Sequence, residues 1–202
     1  MYYCGLIGIK ELFLYMFVLS SFQIGQQMIK LVFPEEKQAE KLFEIIETDR
    51  KALSEWMPWT KNIKSKKDEI EFINYAREKN AKYQLLELAI IAENQPIGMI
   101  DLHSIDRDDR RAEVGYWMFS KYQGKGIMTE SLKHLLSIAF DELDLNKIIV
   151  MADSKNEKSR AIPQRLGFRQ EGTLKEEIFM NKQFRDLDVF AITTSEYKIK
   201  NS

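Results

Sequence analysis

The chain has 202 residues, with 30 basic and 31 acidic side chains, a formal net charge of −1 and 45% hydrophobic residues. This length and composition indicate one globular domain and exclude a disordered or fibrous chain. The near-zero charge gives no electrostatic basis for direct nucleic-acid binding. The single cysteine, Cys4, excludes an internal disulfide and a cysteine-rich zinc site, and we expect no metal.

The first 27 residues carry only two charges, Lys10 and Glu11, and residues 12–19 are an unbroken apolar run. A secretory signal would need a more basic start and a small-residue cleavage site. A membrane span would need about 20 apolar residues, and polar side chains dilute the second half of the run. We interpret residues 1–27 as a dispensable extension of a single domain at residues 28–202. The alternatives are a helix that contacts another subunit or a membrane surface, and a signal peptide.

Hydrophobic periodicity then predicts alternating groups of strands and helices. The predicted strands lie at residues 28–33, 85–92, 96–105, 112–119, 146–153, 168–180 and 184–194. The first predicted helix begins at Pro34. The others cover residues 49–57, residues 67 to about 82, the segment from after Gly126 to about residue 144, and residues 157–166, which end before Gly167. This order predicts an α/β domain with a mixed sheet and helices packed on it.

The first candidate site is the turn between the predicted strand 112–119 and the helix that follows it. Gly124 and Gly126 lie in this turn. Glycine allows the backbone to approach a ligand closely, and the free amides at a helix start attract an anion. The glycine spacing matches neither the dinucleotide-binding fingerprint nor the P-loop. The turn therefore predicts either a phosphate site or glycines that serve the turn geometry alone.

The second candidate site is formed by Asn156 and Ser159, which follow the predicted strand 146–153. These side chains could simply cap the helix that starts there. Alternatively, polar groups at the carboxyl end of a strand meet a ligand in a sheet crevice, as is common in α/β sheets.

The third candidate is Glu113, an acid on an otherwise apolar strand. The two-residue period of a strand places Glu113, Gly115 and Trp117 on one face. A carboxylate in this position is either solvent-facing or, beside a ligand crevice, a general base.

Taken together, these residues resemble the GNAT superfamily of acyl-CoA-dependent N-acyltransferases, in its ribosomal-protein N-acetyltransferase (RimJ/RimL type) branch. The resemblance extends from Met28 to the C-terminus and depends on the order and spacing of several motifs. These motifs are Trp56-Met-Pro-Trp59, Glu113-Val-Gly-Tyr-Trp117, Gln123-Gly-Lys-Gly126, Met128-Thr-Glu130, Asn156-x-x-Ser159, Leu166-Gly-Phe168 and Glu171-Gly172. The implied fold is a splayed central sheet with helices on both faces, whose wedge holds the pantetheine arm of acetyl-CoA.

The resemblance implies a role for each motif in binding acetyl-CoA. Backbone amides in the turn would hold the pyrophosphate; they belong to Gln123, Gly124, Lys125, Gly126, Ile127, Met128 and Thr129. Main-chain groups of Trp117, Met118 and Phe119 would pair with the pantetheine like an added strand, and an amide there would polarise the thioester carbonyl. Asn156 would bind the pantetheine arm, with Ser159 near the sulfur.

The resemblance also implies the catalytic residues. Glu113 would take a proton from the amine, directly or through water. Some relatives place a tyrosine acid seven residues after the asparagine, but this chain has Pro163 there, which leaves Ser159 or water as the proton donor. The resemblance requires neither histidine: we expect His134 at the surface or in packing, and His103 either near the substrate groove or away from it.

The resemblance implies acetyl-CoA-dependent acetylation of an amine. The leading acceptor is the N-terminal amine of a protein, such as a ribosomal protein. The alternatives are a small amine (a polyamine, an amino acid or an antibiotic) and a non-catalytic acyl-CoA-binding module. We expect a cytoplasmic enzyme without a membrane span. Exposed strand edges in such folds also allow a homodimer.

Overall fold

The computed structural model describes residues 17–201. Its strands are β1 (Val18–Ile24), β2 (Gln27–Val32), β3 (Leu86–Ala92), β4 (Gln95–Asp106), β5 (Arg111–Met118), β6 (Lys147–Asp153), β7 (Arg169–Met180) and β8 (Gln183–Thr193). The α-helices are α1 (Ala39–Ser54), α2 (Lys66–Ala81), α3 (Ile127–Ser137), α4 (Glu157–Arg165) and α5 (Thr194–Asn201). Short 3-10 turns lie at Glu36–Gln38, Pro58–Lys61 and Ser120–Tyr122, and one π-helical turn, Ile138–Glu142, follows α3.

The strands form one sheet in the order β1-β2-β3-β4-β5-β6-β8-β7. Neighbouring strands are antiparallel except β5 and β6, which are parallel. The predicted mixed α/β sheet is therefore confirmed. A parallel pair needs a crossover connection, which α3 supplies between β5 and β6.

Helices cover both faces of the sheet, and the alternation of side chains along each strand divides the core accordingly. On one face, Leu132 and Leu135 of α3 are fully buried in the main cluster together with Ile100 of β4. On the other face, Met99 of β4 packs with a smaller cluster that includes Ile73 of α2. Each such fully buried aliphatic side chain contributes about 1.5–3 kcal/mol to folding.

The helical region after β2 contains two α-helices where the sequence predicted three. The predicted second helix, residues 49–57, is the last part of α1, which runs without interruption to Ser54. No glycine or proline interrupts the chain between Ile46 and Leu53, so nothing breaks the helical hydrogen bonding there. The helix starts at Ala39 because a 3-10 turn, Glu36–Gln38, follows Pro34.

The strand β1 lies in the segment that the sequence assigned to a dispensable extension. It pairs with β2 through a two-residue turn in which Gly25 has φ +58°, a backbone conformation that glycine adopts at little cost. The ring of Phe22 stacks on His134 of α3 with centroids 4.8 Å apart. Ser20 Oγ lies 2.7 Å from His134 Nδ1. His134 therefore has the packing role expected for it. Residues 1–16, including Cys4, lie outside the described residues.

The end of the chain forms a helix, α5, that the periodicity did not predict. Thr193 and Glu196 form a capping box, in which the Thr193 amide donates to Glu196 Oε2 at 2.8 Å. The turn predicted at Asn181 and Lys182 is confirmed, since both residues have the positive φ of a tight hairpin turn. Gly167, with φ +77°, follows the end of α4 as predicted.

We expect the removal of β1 to destabilise the domain. A chain that starts at Met28 should lose about 2–4 kcal/mol of the free energy of unfolding, because Leu19, Phe22 and Ile24 pack against the main core. Urea denaturation measures this loss, and a chain that starts at Phe17 is the control because it keeps β1. Equal stability of the two shortened chains would contradict a structural role for β1 and support the dispensable extension.

Candidate active site

A wedge opens in the middle of the sheet, where β5 and β6 separate. Only Arg111, Ala112 and Glu113 of β5 pair with β6, opposite Lys147, Ile148 and Ile149. Beyond these residues β5 pairs with β4 alone and β6 with β8. The peptide groups on one side of β5 are therefore open toward β6, so that another extended chain can add there as a strand does.

The end of β5 is pulled close to β4, and Gly98 makes this approach possible. A side chain at Gly98 would overlap the carbonyl oxygen of Trp117 and the Cα of Met118. The Phe119 amide donates to the carbonyl oxygen of Ile97 at 2.8 Å. Hydrogen-bonding groups alternate in direction along a strand, so the amide of Met118 points into the wedge. Main-chain groups of Trp117, Met118 and Phe119 were predicted to pair with the pantetheine. The N–H of Phe119 is instead bonded to β4.

The predicted anion-binding turn joins β5 to α3 and is built as its glycines indicated. Gly124 and Gly126 have φ +75° and +82°, the left-handed region that disfavours other residues. The amides of Ile127, Met128 and Thr129 precede the first hydrogen bond within α3 and have no acceptor in the helix. The amide of Gln123 was predicted to help hold the pyrophosphate, but in this structure it donates to the Ser120 carbonyl oxygen at 3.1 Å.

The side chain of Gln123 connects this turn to the wedge. Its Nε2 donates to the carbonyl oxygen of Met118 at 2.9 Å. This bond holds the peptide group next to the opening, beside the Met118 amide that faces the wedge. Lys125 lies over the ring of Tyr122 at 5.2 Å, which adds a positive charge beside the turn.

The opposite side of the wedge is formed by the start of α4. Asn156 Oδ1 accepts the amide of Ser159 at 3.1 Å, so the capping interpretation of Asn156 is confirmed. The Tyr116 hydroxyl donates to the Ser159 carbonyl oxygen at 3.0 Å and lies 3.2 Å from Ser159 Oγ. Burial raises the pKa of Tyr116 to about 12. Tyr116 therefore remains a neutral tether that links β5 to α4 across the wedge.

The predicted face of β5 carries Glu113, Gly115 and Trp117 toward α1 and α2. Trp117 packs against the smaller core cluster on that side, while Tyr116 belongs to the main core on the other. Glu113 faces His103 of β4, with Glu113 Oε2 3.6 Å from His103 Nε2. His103 Nδ1 in turn lies 2.6 Å from Asp101 Oδ1. The structure thus places His103 beside Glu113.

Two buried carboxyl groups lie beyond Asp101 on the same face. Glu87 of β3 is opposite Asp101 in the strand register, and Glu69 of α2 is buried with it. Burial raises the pKa of Glu69 to about 7. Burial, followed by the charges of Asp101 and Glu69, raises the pKa of Glu87 well above its usual range. Both effects disfavour the charged form of Glu87.

Tryptophans from the first helical region form a wall next to this face. The rings of Trp59 and Trp117 are 5.9 Å apart, and the Arg185 guanidinium lies 5.6 Å from the ring of Trp56. Arg185 also pairs with Asp153, at the end of β6, at 3.2 Å. The β7–β8 hairpin thereby reaches the segment after α1.

Three residues of the site were not singled out from the sequence. Gly98 and Tyr116 act through contacts with other strands or helices, which no local pattern reveals. Asp101 did have a local signal, since Asp101 and His103 are two residues apart on a strand and so share a face.

Two further features concern metal binding and membrane crossing. Among residues 17–201, no group of histidine, cysteine and acidic side chains is arranged to hold a metal ion. In the same part of the chain, no helix has both the length and the apolar character needed to cross a membrane.

Comparison with known proteins identifies the family. The family profile described as an acetyltransferase (GNAT) domain matches residues 29–169. The putative ribosomal N-acetyltransferase YdaF of Bacillus subtilis (strain 168) is 34% identical over 165 residues, which cover 81% of this chain and 90% of the relative. The ribosomal-protein-serine acetyltransferase of Escherichia coli (strain K12) is 24% identical over 156 residues, covering 77% of this chain and 87% of the relative.

A solved structure extends the comparison to the fold. The Microcin C7 self immunity acetyltransferase MccE, in complex with acetyl-CoA and AMP, has a TM-score of 0.80 and 26% identity, and the match covers 87% of this chain and 97% of that one. The segment matched by the family profile contains both strands of the wedge and the turn before α3. This chain belongs to the GNAT acetyltransferases.

Proposed function

We propose that this enzyme transfers the acetyl group of acetyl-CoA directly to the N-terminal amine of a protein, with a ribosomal protein as the acceptor class. The observation that carries the proposal is the wedge, which opens beside a free Met118 amide on β5 and leads toward Glu113. The names of the YdaF and Escherichia coli relatives support the acceptor class.

The wedge and the turn before α3 supply the groups that would bind acetyl-CoA. The amides of Gly124, Lys125, Gly126 and the first turn of α3 would hold the pyrophosphate, aided by the positive end of the helix. The Met118 amide would donate to the thioester carbonyl and stabilise the negative charge that develops there. Asn156 and Ser159, at the start of α4, would border the pantetheine arm, and Ser159 or water would donate a proton to the departing thiolate.

Glu113 would act as the general base on the acceptor side. An amine must lose a proton before it can attack a thioester, and no covalent enzyme intermediate is needed. The Glu113 carboxylate is partly exposed on the face of the sheet that carries α1 and α2, where it would bind an ammonium group.

The charges of the groove favour a single ammonium group over a polycation. Four carboxyl groups lie near His103 on this face. Glu69 and Glu87 are buried, with raised pKa values, while Asp101 and Glu113 are partly exposed and share one histidine. A small amine is the second candidate. A non-catalytic acyl-CoA-binding module would not need Glu113.

The proposal includes a cytoplasmic enzyme, because ribosomal proteins are made and assembled there. It also includes a homodimer formed through exposed strand edges. The edge strand β7 leaves most of its side chains in solvent and is the candidate edge.

An acceptor assay tests the proposed function. We expect the enzyme to consume acetyl-CoA with peptides that match ribosomal-protein N-termini, and to prefer them over spermidine and free amino acids by kcat/KM. Peptides already acetylated at the N-terminus are the control. A preference for spermidine would assign the small-amine function, and acetyl-CoA binding without turnover of any amine would assign the binding module.

A bulky residue in the turn before α3 should block the coenzyme site. We expect Gly126→Trp to lose acetyl-CoA binding in isothermal titration calorimetry, because the indole would fill the space that a phosphate must approach. Gly126→Ala imposes the same unfavourable positive φ, at a cost of about 1–2 kcal/mol, without the bulk, and is the matched control. Normal binding by Gly126→Trp would refute the assignment of the turn.

Neutralising Glu113 should impair turnover and leave coenzyme binding intact. We expect Glu113→Gln to lower kcat at least about tenfold, because the ammonium group would lose its carboxylate partner, while the Kd for acetyl-CoA stays unchanged. Steady-state kinetics with the best peptide acceptor measures the change. Unchanged kcat would remove Glu113 from the mechanism.

A further inference from the structure

His103 lies in direct register with Glu113 across the β4–β5 pair. The ring has a carboxylate at each nitrogen: Asp101 Oδ1 is 2.6 Å from Nδ1, and Glu113 Oε2 is 3.6 Å from Nε2. The short contact with Asp101 is a hydrogen bond, in which Nδ1–H donates. The longer separation on the other side leaves Nε2 as the acceptor nitrogen of the neutral ring.

Gly115 makes room for the carboxylate that orients the ring. A Cβ atom at position 115 would lie 2.6 Å from Asp101 Oδ2, which is too close for any real contact. Asp101 therefore lies over the backbone of β5 because the residue opposite it has no side chain. This arrangement fixes Asp101 between Trp117 and Glu113 on the acceptor side of the sheet.

One ammonium nitrogen can contact His103 and Glu113 together. Placed to one side of the 3.6 Å line between Nε2 and Oε2, it can lie about 2.8–3.0 Å from both atoms. The His103 side chain is 42% exposed, against 19% for Asp101. The histidine can therefore exchange protons with water more readily than its partner can.

We propose that His103, in place of Glu113, is the immediate acceptor of the proton that leaves the substrate's ammonium group. Glu113 then binds that group by its charge, and Asp101 holds the imidazole ring. This inference rests on the proposed function and deepens it, because it names the atom, His103 Nε2, that receives the proton. Asp101 is a positioning residue in this scheme.

The proton balance of the step is simple. The ammonium group gives one proton to Nε2 and becomes a neutral amine, whose lone pair forms the new C–N bond at the thioester carbonyl carbon. The C–S bond breaks, and the proton still in excess on the nitrogen ends on the coenzyme sulfur. His103 then releases its proton to solvent. Overall, an ammonium group and acetyl-CoA yield an amide, free CoA and one proton.

The charges around His103 set the pH at which it can serve as a base. The hydrogen bond to Asp101 is the largest cause that raises the pKa of His103 above its usual 6.5; burial opposes it, and the charges of Asp101 and Glu113 add to it. Beyond Asp101 lie the buried Glu87 of β3 and Glu69 of α2. Since the base must be unprotonated, kcat/KM should rise with pH through a midpoint above 6.5 and flatten beyond it.

Two variants and one control test the inference, with the best peptide acceptor and saturating acetyl-CoA. We expect His103→Gln to lower kcat at least about tenfold and to remove this rise of kcat/KM. Asp101→Asn keeps the imidazole but removes the main cause of its raised pKa, so the rise should move to lower pH. His134→Gln, a change of the other histidine, should keep the wild-type pH profile.

The outcomes distinguish the proposed role of His103 from the proposed acetyltransferase function. If the wild type acetylates the peptide and both variants keep its kcat and pH profile, His103 is not the proton acceptor and the proposed function stands. If the wild type acetylates no amine, both fail. Should His103→Gln not fold, Asp101→Asn decides alone: a midpoint shifted to lower pH supports the inference, and an unshifted one overturns it.

Discussion

The three-residue pairing of β5 with β6 is the constraint on which the rest of the site depends. If the two strands stayed paired to their ends, the peptide groups of β5 beyond Glu113 would be used within the sheet. Because β5 and β6 separate, the Met118 amide has no partner strand. Amide groups of a ligand can take the place of that strand. Tyr116 links the two sides of the opening through Ser159, which keeps the wedge at a defined width.

The two faces of β5 divide the work of the site between them. Tyr116 and Met118 pack in the main core on the side of α3 and α4, where the turn proposed to bind the coenzyme begins. Glu113, Gly115 and Trp117 face α1 and α2, where carboxylates and tryptophans form the proposed acceptor side. The two-residue period of one strand therefore separates the groups proposed to accept the proton from those proposed to bind the coenzyme.

The sequence predicted local geometry well where its signals are local. The glycines of the turn before α3, the capping pair Asn156 and Ser159, and the face that carries Glu113 each follow from short patterns, and their local geometry is as expected. The pairing of His103 with Glu113 depends on strand register, which a single strand's pattern does not specify. The same reason explains why Gly98 and Gly115 were not recognised as positions where another strand comes too close for a side chain.

Local patterns were least informative at the two ends of the described chain. The segment before Met28 has so few charges that it was set apart from the domain, yet β1 pairs with β2 at the sheet edge and Phe22 stacks on His134. At the other end, the capping box of Thr193 and Glu196 starts a helix whose apolar periodicity is too weak to detect. The ring of Tyr197 packs on Phe140 there, so at both ends a contact with a distant element stabilises a short segment that has little intrinsic preference.

The sequence by itself determined the mixed α/β class, the order of most elements, the family resemblance and the chemistry at each motif. These depend on periodicity, glycine placement and residue type, which act over a few positions. Only the tertiary structure decided which amide faces the wedge, where the tyrosine tether crosses it and which groups surround His103. Those relations join residues on different strands and helices, and their geometry comes from the twist, register and packing of the whole sheet.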